Sequence, residues 1–140
     1  MSFKCERVRQ ITLSLHNRPG ILADLCAHLG DRGINIRAIT TLDGAEVGQV
    51  RLVVDGVDEA LRLLAEAGVE CTTSECLALE MPNHPSGFAG VAWVLAVAGI
   101  NIDFLYASST PGAATALGIL GVSDVEKALT LDWESAGRSR

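Results

Sequence analysis

Two short motifs, each present twice, decide the fold of this chain. The first copy reads His16-Asn17-Arg18-Pro19-Gly20-Ile21 and then Gly33-Ile34-Asn35-Ile36. The second copy reads Pro82-Asn83-His84-Pro85-Ser86-Gly87 and then Gly99-Ile100-Asn101-Ile102. An offset of 66 positions, without a gap, relates Asn17 to Asn83, Pro19 to Pro85 and residues 33–36 to residues 99–102. A constant offset indicates an internal duplication, so we predict two domains, residues 1–75 and residues 76–140.

Apolar residues around the first motif predict a β-α-β-β-α-β unit. Residues 8–15 alternate apolar and polar side chains, as a strand with one buried face does. Beyond the break at residues 17–20, Ile21, Leu25 and Leu29 recur at helical spacing. The other predicted elements are strand 34–42, a hairpin turn at Asp43-Gly44, strand 49–54, a helix from Val57 to the residue before Gly68, and strand 69–73.

The second copy repeats this order but breaks off before its last strand. Its predicted elements are strand 77–81, helix 88–98, strands 102–107 and 114–120, and helix 125–131. Residues 132–140 are polar and do not alternate, so we expect the fourth strand to be short or missing. The predicted fold is α+β: two ferredoxin-like units side by side, each an antiparallel sheet with helices on one face.

Composition and charge exclude several classes of function. A formal net charge of −6 repels nucleic acid and anionic membrane surfaces. The sequence has no apolar run of membrane-spanning length and no signal-peptide stretch at the N-terminus, so we expect a cytoplasmic protein. The four cysteines and three histidines do not cluster at metal-ligand spacing. We therefore predict reduced thiols, no metal and no cofactor.

The repeated motif joins a strand to the start of a helix, where an anion can bind. Gly20 lets the backbone approach another group closely, and the first amides of the helix have no partner within the helix. These amides and the helix dipole favour a carboxylate, and the amide of Asn17 can contact a carboxylate or an ammonium group. The alternative is an ordinary turn with an N-cap. Asn35 and Asn101, each between two isoleucines, add polar groups that need either a backbone partner or a ligand.

These motifs resemble the signature of the ACT domain family, whose members regulate amino-acid metabolism by binding amino acids. The resemblance covers the first copy and the second through about residue 131. It implies that ACT units pair side by side and bind a ligand at their interface, between the first strand–helix loop of one unit and the second-strand asparagine of the other. Transferred to this sequence, the implied ligand-binding residues form two sets. The first is His16, Asn17, Pro19, Gly20, Ile21 and Leu22 with Asn101; the second is Asn83, His84, Pro85, Ser86, Gly87 and Phe88 with Asn35.

The two sets are unequal, because Ser86 replaces the glycine that follows proline and Phe88 is bulkier than Leu22. We therefore expect the first loop to bind more tightly. His16 has an equally good interpretation as a solvent-exposed residue at a strand end. The sequence predicts no enzyme, because it contains no catalytic motif and no room for a catalytic domain beside the two ACT units. The expected partners are a free amino acid and, as a target of regulation, a metabolic enzyme.

A second interpretation is a protein-interaction module without a small-molecule ligand. A sheet that lacks its last strand exposes an edge, which invites pairing with another strand. Residues 76–81 would form that edge, and would pair either with a second molecule or, within the chain, with the first unit. Both interpretations predict a homodimer.

Overall fold

The structure, a computed structural model, describes residues 2–16, 18–42 and 47–137. Its strands are β1 (Lys4–His16), β2 (Ile36–Leu42), β3 (Val47–Val54), β4 (Cys71–Pro82), β5 (Ile102–Ser108) and β6 (Thr115–Val122). Its helices are α1 (Ile21–Gly30), α2 (Val57–Glu66), α3 (Gly87–Val97), α4 (Val125–Leu129) and a 3₁₀ helix (Trp133–Gly137). The predicted hairpin at Asp43-Gly44 lies outside the described residues.

Two compact units divide the chain. Unit N comprises Arg9–Ser74, and unit C comprises Met1–Val8 together with Glu75–Arg140. The first eight residues, which the sequence interpretation grouped with the first copy, are thus grouped by their contacts with the second. As a result β1 and β4 are each divided: residues 4–8 of β1 belong to unit C, and residues 71–74 of β4 belong to unit N.

Unit N has the strand order β2-β3-β1-β4, with antiparallel pairing that places Ile11 and Ile39 on either side of Leu52. Alternate residues of β1 and β3 point to the same face of the sheet. That face is covered by α1 and α2, which contribute Leu25, Leu29 and the buried residues of α2 to a single core. The core residues are Ile11, Leu13, Leu25, Leu29, Ile34, Val50, Leu52, Val54, Ala60, Leu63 and Leu64.

Unit C has the strand order β1-β4-β6-β5, and its core includes residues of α3, α4 and the 3₁₀ helix. The segment of residues 4–8 fills the place of the fourth strand that the repeat lacks. Phe3 is buried in this core, and its backbone amide donates to Glu134 Oε1 at 3.3 Å. Arg7 holds the segment by ion pairs of 2.7 Å to Glu75 and 2.5 Å to Glu126.

The α+β fold, the antiparallel pairing and the helices on one face confirm the sequence prediction. No strand follows α4 in the part of the chain described up to Gly137, as the tail composition predicts. Residues 76–81 do not form a free edge, because β4 has β1 on one side and β6 on the other. Of the two pairings predicted for this strand, the structure shows the one within the chain. The outer strands are instead β2 in unit N and β5 in unit C.

No helix among the described residues is both long and apolar enough to cross a lipid bilayer.

Candidate ligand site in unit N

The loop between β1 and α1 is a tight turn that depends on glycine. Arg18 N–H donates to the carbonyl of His16 at 3.0 Å, and Ile21 N–H donates to the carbonyl of Arg18 at 3.4 Å. Gly20 has a φ of 87°, in the left-handed region that costs other residues free energy. Asn17, which the sequence places in the site, lies outside the described residues. The turn therefore brings His16, Arg18 and the start of α1 together.

The start of α1 offers backbone donors at this turn. The first intrahelical bond runs from Asp24 N–H to the carbonyl of Gly20 at 3.0 Å. The amides of Leu22 and Ala23 precede that bond, so they have no acceptor within the helix. The N-cap residue, a glycine, has no side chain that could accept from them. These donors and the positive end of the helix dipole favour an anionic group.

A cavity of about 200 Å³ lies beside this loop and within unit N. Three of the predicted site residues, His16, Ile21 and Leu22, line it. Pro19 and Gly20 shape the turn but do not line the cavity. The other lining residues were not predicted from the sequence; they are Leu15, Arg18, Thr41, Leu42, Gly48, Gln49 and Val50. Arg18 could have been found from the motif itself, since it stands between two predicted site residues.

A second crevice of about 260 Å³ shares Leu15 and Ile21 with the first and lies between α1 and α2. Its other lining residues are Asp24, Leu25, His28, Leu64, Ala67 and Val69. His28 Nε2 lies 3.1 Å from the carbonyl oxygen of Leu63, which links α1 to α2. Polar groups border the loop cavity, whereas the crevice is lined mainly by apolar side chains.

In the matching loop of unit C, the polar groups form hydrogen bonds within the protein. The Asn83 side-chain amide donates to the carbonyls of Thr110 at 3.0 Å and Ala113 at 2.9 Å. The Asn83 backbone amide donates to the carbonyl of Ala114 at 3.0 Å. The side-chain donors of Asn83 that the sequence assigns to a ligand therefore hold the loop between β5 and β6.

The next predicted residues of unit C are also engaged with one another. His84 Nδ1 accepts from the Ser86 amide at 3.2 Å and lies 2.8 Å from Ser86 Oγ. A side chain in place of Gly87 would put its Cβ 2.9 Å from the carbonyl oxygen of Pro82, so the helix start packs closely on the end of β4. Pro85 and Phe88 are exposed. Here the loop is closed by its own contacts.

Asn35 and Asn101 both immediately precede the second strand of their unit and both are exposed. The carbonyl of Asn35 accepts from Asp55 N–H at 3.0 Å, and the carbonyl of Asn101 accepts from Ser123 N–H at 3.0 Å. The Asn101 side chain donates to Asp103 Oδ1 at 2.8 Å. Because both side chains are exposed to solvent, neither needs the protein or ligand partner that the Ile-Asn-Ile pattern predicts.

The cysteines are all free thiols. Burial, with a smaller effect of the Glu6 charge, raises the pKa of Cys5 to about 11. Burial also raises the pKa of Cys71. A raised pKa keeps a thiol protonated and weakly nucleophilic at neutral pH. Among residues 2–16, 18–42 and 47–137, no three His, Cys, Asp or Glu side chains are grouped as a metal site would require.

Solved structures with the same fold support the architecture. Protein BT0572 from Bacteroides thetaiotaomicron aligns with a TM-score of 0.81 at 22% identity, over 89% of this chain and 85% of that one. The regulatory subunit of aspartate kinase from Thermus thermophilus aligns with a TM-score of 0.69 at 18% identity, over 92% and 93%. The corresponding Thermus flavus subunit aligns with a TM-score of 0.65 at 18% identity, over 98% and 94%.

Sequence comparison identifies the family. No match was found among curated proteins. A family profile described as an ACT domain pair matches residues 6–129, which is most of the chain and includes both repeated motifs. This chain belongs to the ACT domain pair family.

Proposed function

We propose that this protein is a regulatory sensor that binds a free amino acid in unit N and catalyses no reaction. The observation that carries the proposal is the cavity of about 200 Å³ at the β1–α1 loop, lined by His16, Ile21 and Leu22. This is the loop to which the family resemblance assigns ligand binding. The fold shared with regulatory subunits of aspartate kinase supports a regulatory role.

The groups around the cavity suit the two charges of a free amino acid. The guanidinium of Arg18 and the first amides of α1 are donors for the α-carboxylate. The Thr41 hydroxyl and backbone carbonyls are acceptors for the ammonium group. The apolar crevice beyond Leu15 and Ile21 lies next to the position of the ligand's side chain.

Unit C is proposed to bind the ligand more weakly or not at all. The polar side chains of its loop already have partners within the protein, since the Asn83 amide donates to two backbone carbonyls and His84 contacts Ser86. A ligand would have to replace these hydrogen bonds at a cost of about 1 kcal/mol each. The proposal therefore contains one principal site, with the His16–Leu22 loop as its centre.

The proposal also includes what the family resemblance implies about the two asparagines and the regulated partner. Asn101 is proposed to complete the site of the first loop, and Asn35 that of the second loop. The regulated partner is proposed to be an enzyme of amino-acid metabolism whose activity responds allosterically to the ligand. A cytoplasmic location and the absence of catalysis also belong to the proposal.

Thermal unfolding in the presence of each of the twenty amino acids tests the proposal. A ligand that binds only the folded state adds RT ln(1 + [L]/Kd), which is about 2.7 kcal/mol at a hundredfold excess over Kd. We expect selective stabilisation by one amino acid or a small group of similar ones. An unchanged Tm with all twenty would contradict amino-acid sensing.

A matched pair of variants locates the site. Gly48→Val fills the cavity of unit N, and Ala114→Val makes the corresponding change 66 positions later in unit C. We expect Gly48→Val to weaken binding at least tenfold by calorimetric titration and Ala114→Val to leave it unchanged. Asn101→Ala should weaken the same binding, whereas Asn35→Ala should not. The reverse pattern would place the principal site in unit C.

A further inference from the structure

Helix α3 of unit C carries an apolar surface that its own unit does not cover. None of its eleven residues is charged. Its buried residues, among them Val91, Val94 and Leu95, face the core. The exposed residues follow one line along the helix and are also all apolar. They are Phe88, Ala89, Ala92, Trp93, Ala96 and Val97, named here the α3 stripe.

Two large apolar side chains of the α3 stripe are unusually exposed to solvent. Trp93 is 48% exposed and Val97 is 69% exposed, and neither has a polar neighbour within the helix sequence. A helix that is apolar on all sides is normally buried on all sides. Contiguous apolar patches on a folded protein commonly mark a binding surface.

The repeat offers an internal comparison for this surface. Ala27 of α1 occupies the position of Trp93, and Asp31 occupies the position of Val97. Asp31 is exposed, so unit N has a charge where unit C has an exposed branched apolar side chain. The shared fold therefore does not require the bulky apolar residues of the α3 stripe.

Apolar residues outside the helix are exposed as well. A groove of about 570 Å³ follows α3, and Trp93, Val97, Lys127, Leu131 and Asp132 are among its lining residues. On the outer strand β5, Leu105 is 44% exposed. Leu105 pairs with the core residue Leu120, so it points to the same face of the sheet that the helices cover.

We propose that the α3 stripe is the contact surface between two copies of this chain. In a two-fold contact a patch meets itself and must be complementary to itself. An uncharged stripe meets this condition, whereas most surfaces of a chain with net charge −6 would repel their copies. Among the described residues that line the groove, Lys127 and Asp132 carry opposite charges, and Lys127 Nζ also donates to the carbonyl of Ala98 at 2.7 Å. A two-fold axis can place the Lys127 of one copy opposite the Asp132 of the other. This proposal does not depend on the ligand site in unit N.

Sedimentation equilibrium over a range of concentrations tests the contact. We expect the wild-type chain to be a dimer. Ala96→Glu places two like charges at the centre of the contact, which should raise the dimer dissociation constant about a hundredfold. Gly30→Glu, the corresponding change in α1, should leave it unchanged. Val97→Asp introduces the residue that unit N has at this position and should act like Ala96→Glu. Circular dichroism confirms that each variant is folded.

Acrylamide quenching of tryptophan fluorescence gives a second measurement. Trp93 should become more accessible on dilution of the wild-type chain, while Trp133, buried in the core, stays shielded. A wild-type chain that is monomeric at every concentration would overturn the proposal, whatever other protein the stripe might meet. So would a folded Ala96→Glu variant that dimerises like the wild type, or dissociation caused equally by Gly30→Glu.

Discussion

The two β-α loops of this protein have a common origin in the repeat but use their polar groups differently. In unit N, the turn at Gly20 leaves a cavity bordered by His16 and Arg18. In unit C, Asn83 donates both to Thr110 and to Ala113, and the neighbouring side chains contact each other. The backbone differs as well, since φ is 87° at Gly20 and −96° at Ser86. A repeated motif therefore does not fix how the polar groups of its loop are used.

The helices that follow these loops differ in the polarity of their outer surfaces. Helix α1 has Asp24, His28 and Asp31 on or next to its outer surface, whereas α3 contains no acidic or basic residue. We infer a division of roles, in which unit N binds the ligand and unit C binds a second chain. Changes in one unit that have a counterpart in the other unit test this division.

The largest effect is expected from the segment that completes unit C. Phe3→Ala removes a buried ring from the core of unit C and should lower the free energy of unfolding by about 3–5 kcal/mol. Urea unfolding measures the loss, and hydrogen exchange should show it first in β6 and later in β3. Phe3→Leu, which keeps most of the buried volume, should cost much less. A loss below about 1 kcal/mol for Phe3→Ala would contradict the role of this segment.

Replacing a helix glycine by alanine should have a smaller effect on stability, with opposite signs in the two units. A Cβ at Gly90 would overlap with the carbonyl oxygen of Ala136, so Gly90→Ala should destabilise unit C by about 1–3 kcal/mol. A Cβ at Gly30 meets no atom within 4 Å, so Gly30→Ala in α1 should stabilise the chain by up to about 1 kcal/mol. Thermal unfolding measures both. Equal effects of the two variants would show that α3 is not packed closely against the 3₁₀ helix.

The smallest effect concerns exposed ion pairs and depends on pH. A hydrogen bond from Arg7, and then its charge, hold the pKa of Glu126 below its usual range. Because the folded state lowers this pKa, the stabilisation is present at neutral pH and is lost as the pH falls through the folded-state pKa. Glu126→Gln should therefore reduce stability slightly at neutral pH and low salt, and the difference from wild type should vanish in acid.

Glu59→Gln in α2 is the matched change in unit N, because a hydrogen bond from Arg62 lowers the pKa of Glu59 in the same direction. The Glu59–Arg62 pair lies within one helix, whereas Arg7 and Glu126 join β1 to α4. Only Glu126→Gln should speed hydrogen exchange in residues 4–8. A stability difference that persists in acid, or equal exchange in the two variants, would show that the Arg7 pair does not hold the segment.

Much of the fold follows from local patterns in the sequence. The spacing of Ile21, Leu25 and Leu29 gives the first helix, and the 66-residue offset transfers the same order of elements to the second copy. The missing fourth strand of that copy was also predictable, because residues 132–137 have no alternating apolar pattern. These features depend on neighbouring residues, which a single sequence displays directly.

Contacts between distant residues could not be predicted in the same way. Residues 4–8 have charged side chains at positions 4, 6 and 7, and nothing local shows that they complete unit C rather than unit N. For the same reason the sequence leaves open whether residues 76–81 pair with a second molecule or with the first unit. At the site, the motif placed His16, Ile21 and Leu22 at the cavity, but the contacts of Asn83 depend on the path of residues 110–113, far along the chain.

The position of residues 2–8 in unit C also determines the order in which the protein can fold during synthesis. Unit N needs only residues 9–74, whereas the Phe3–Glu134 hydrogen bond joins groups 131 residues apart. At roughly 5–20 residues per second, several seconds separate the release of Ser74 from the ribosome and the release of Glu134. Throughout that interval residues 2–8, with the apolar ring of Phe3, have no core to enter. This segment is synthesised before unit N, but it reaches its final position only when unit C is complete.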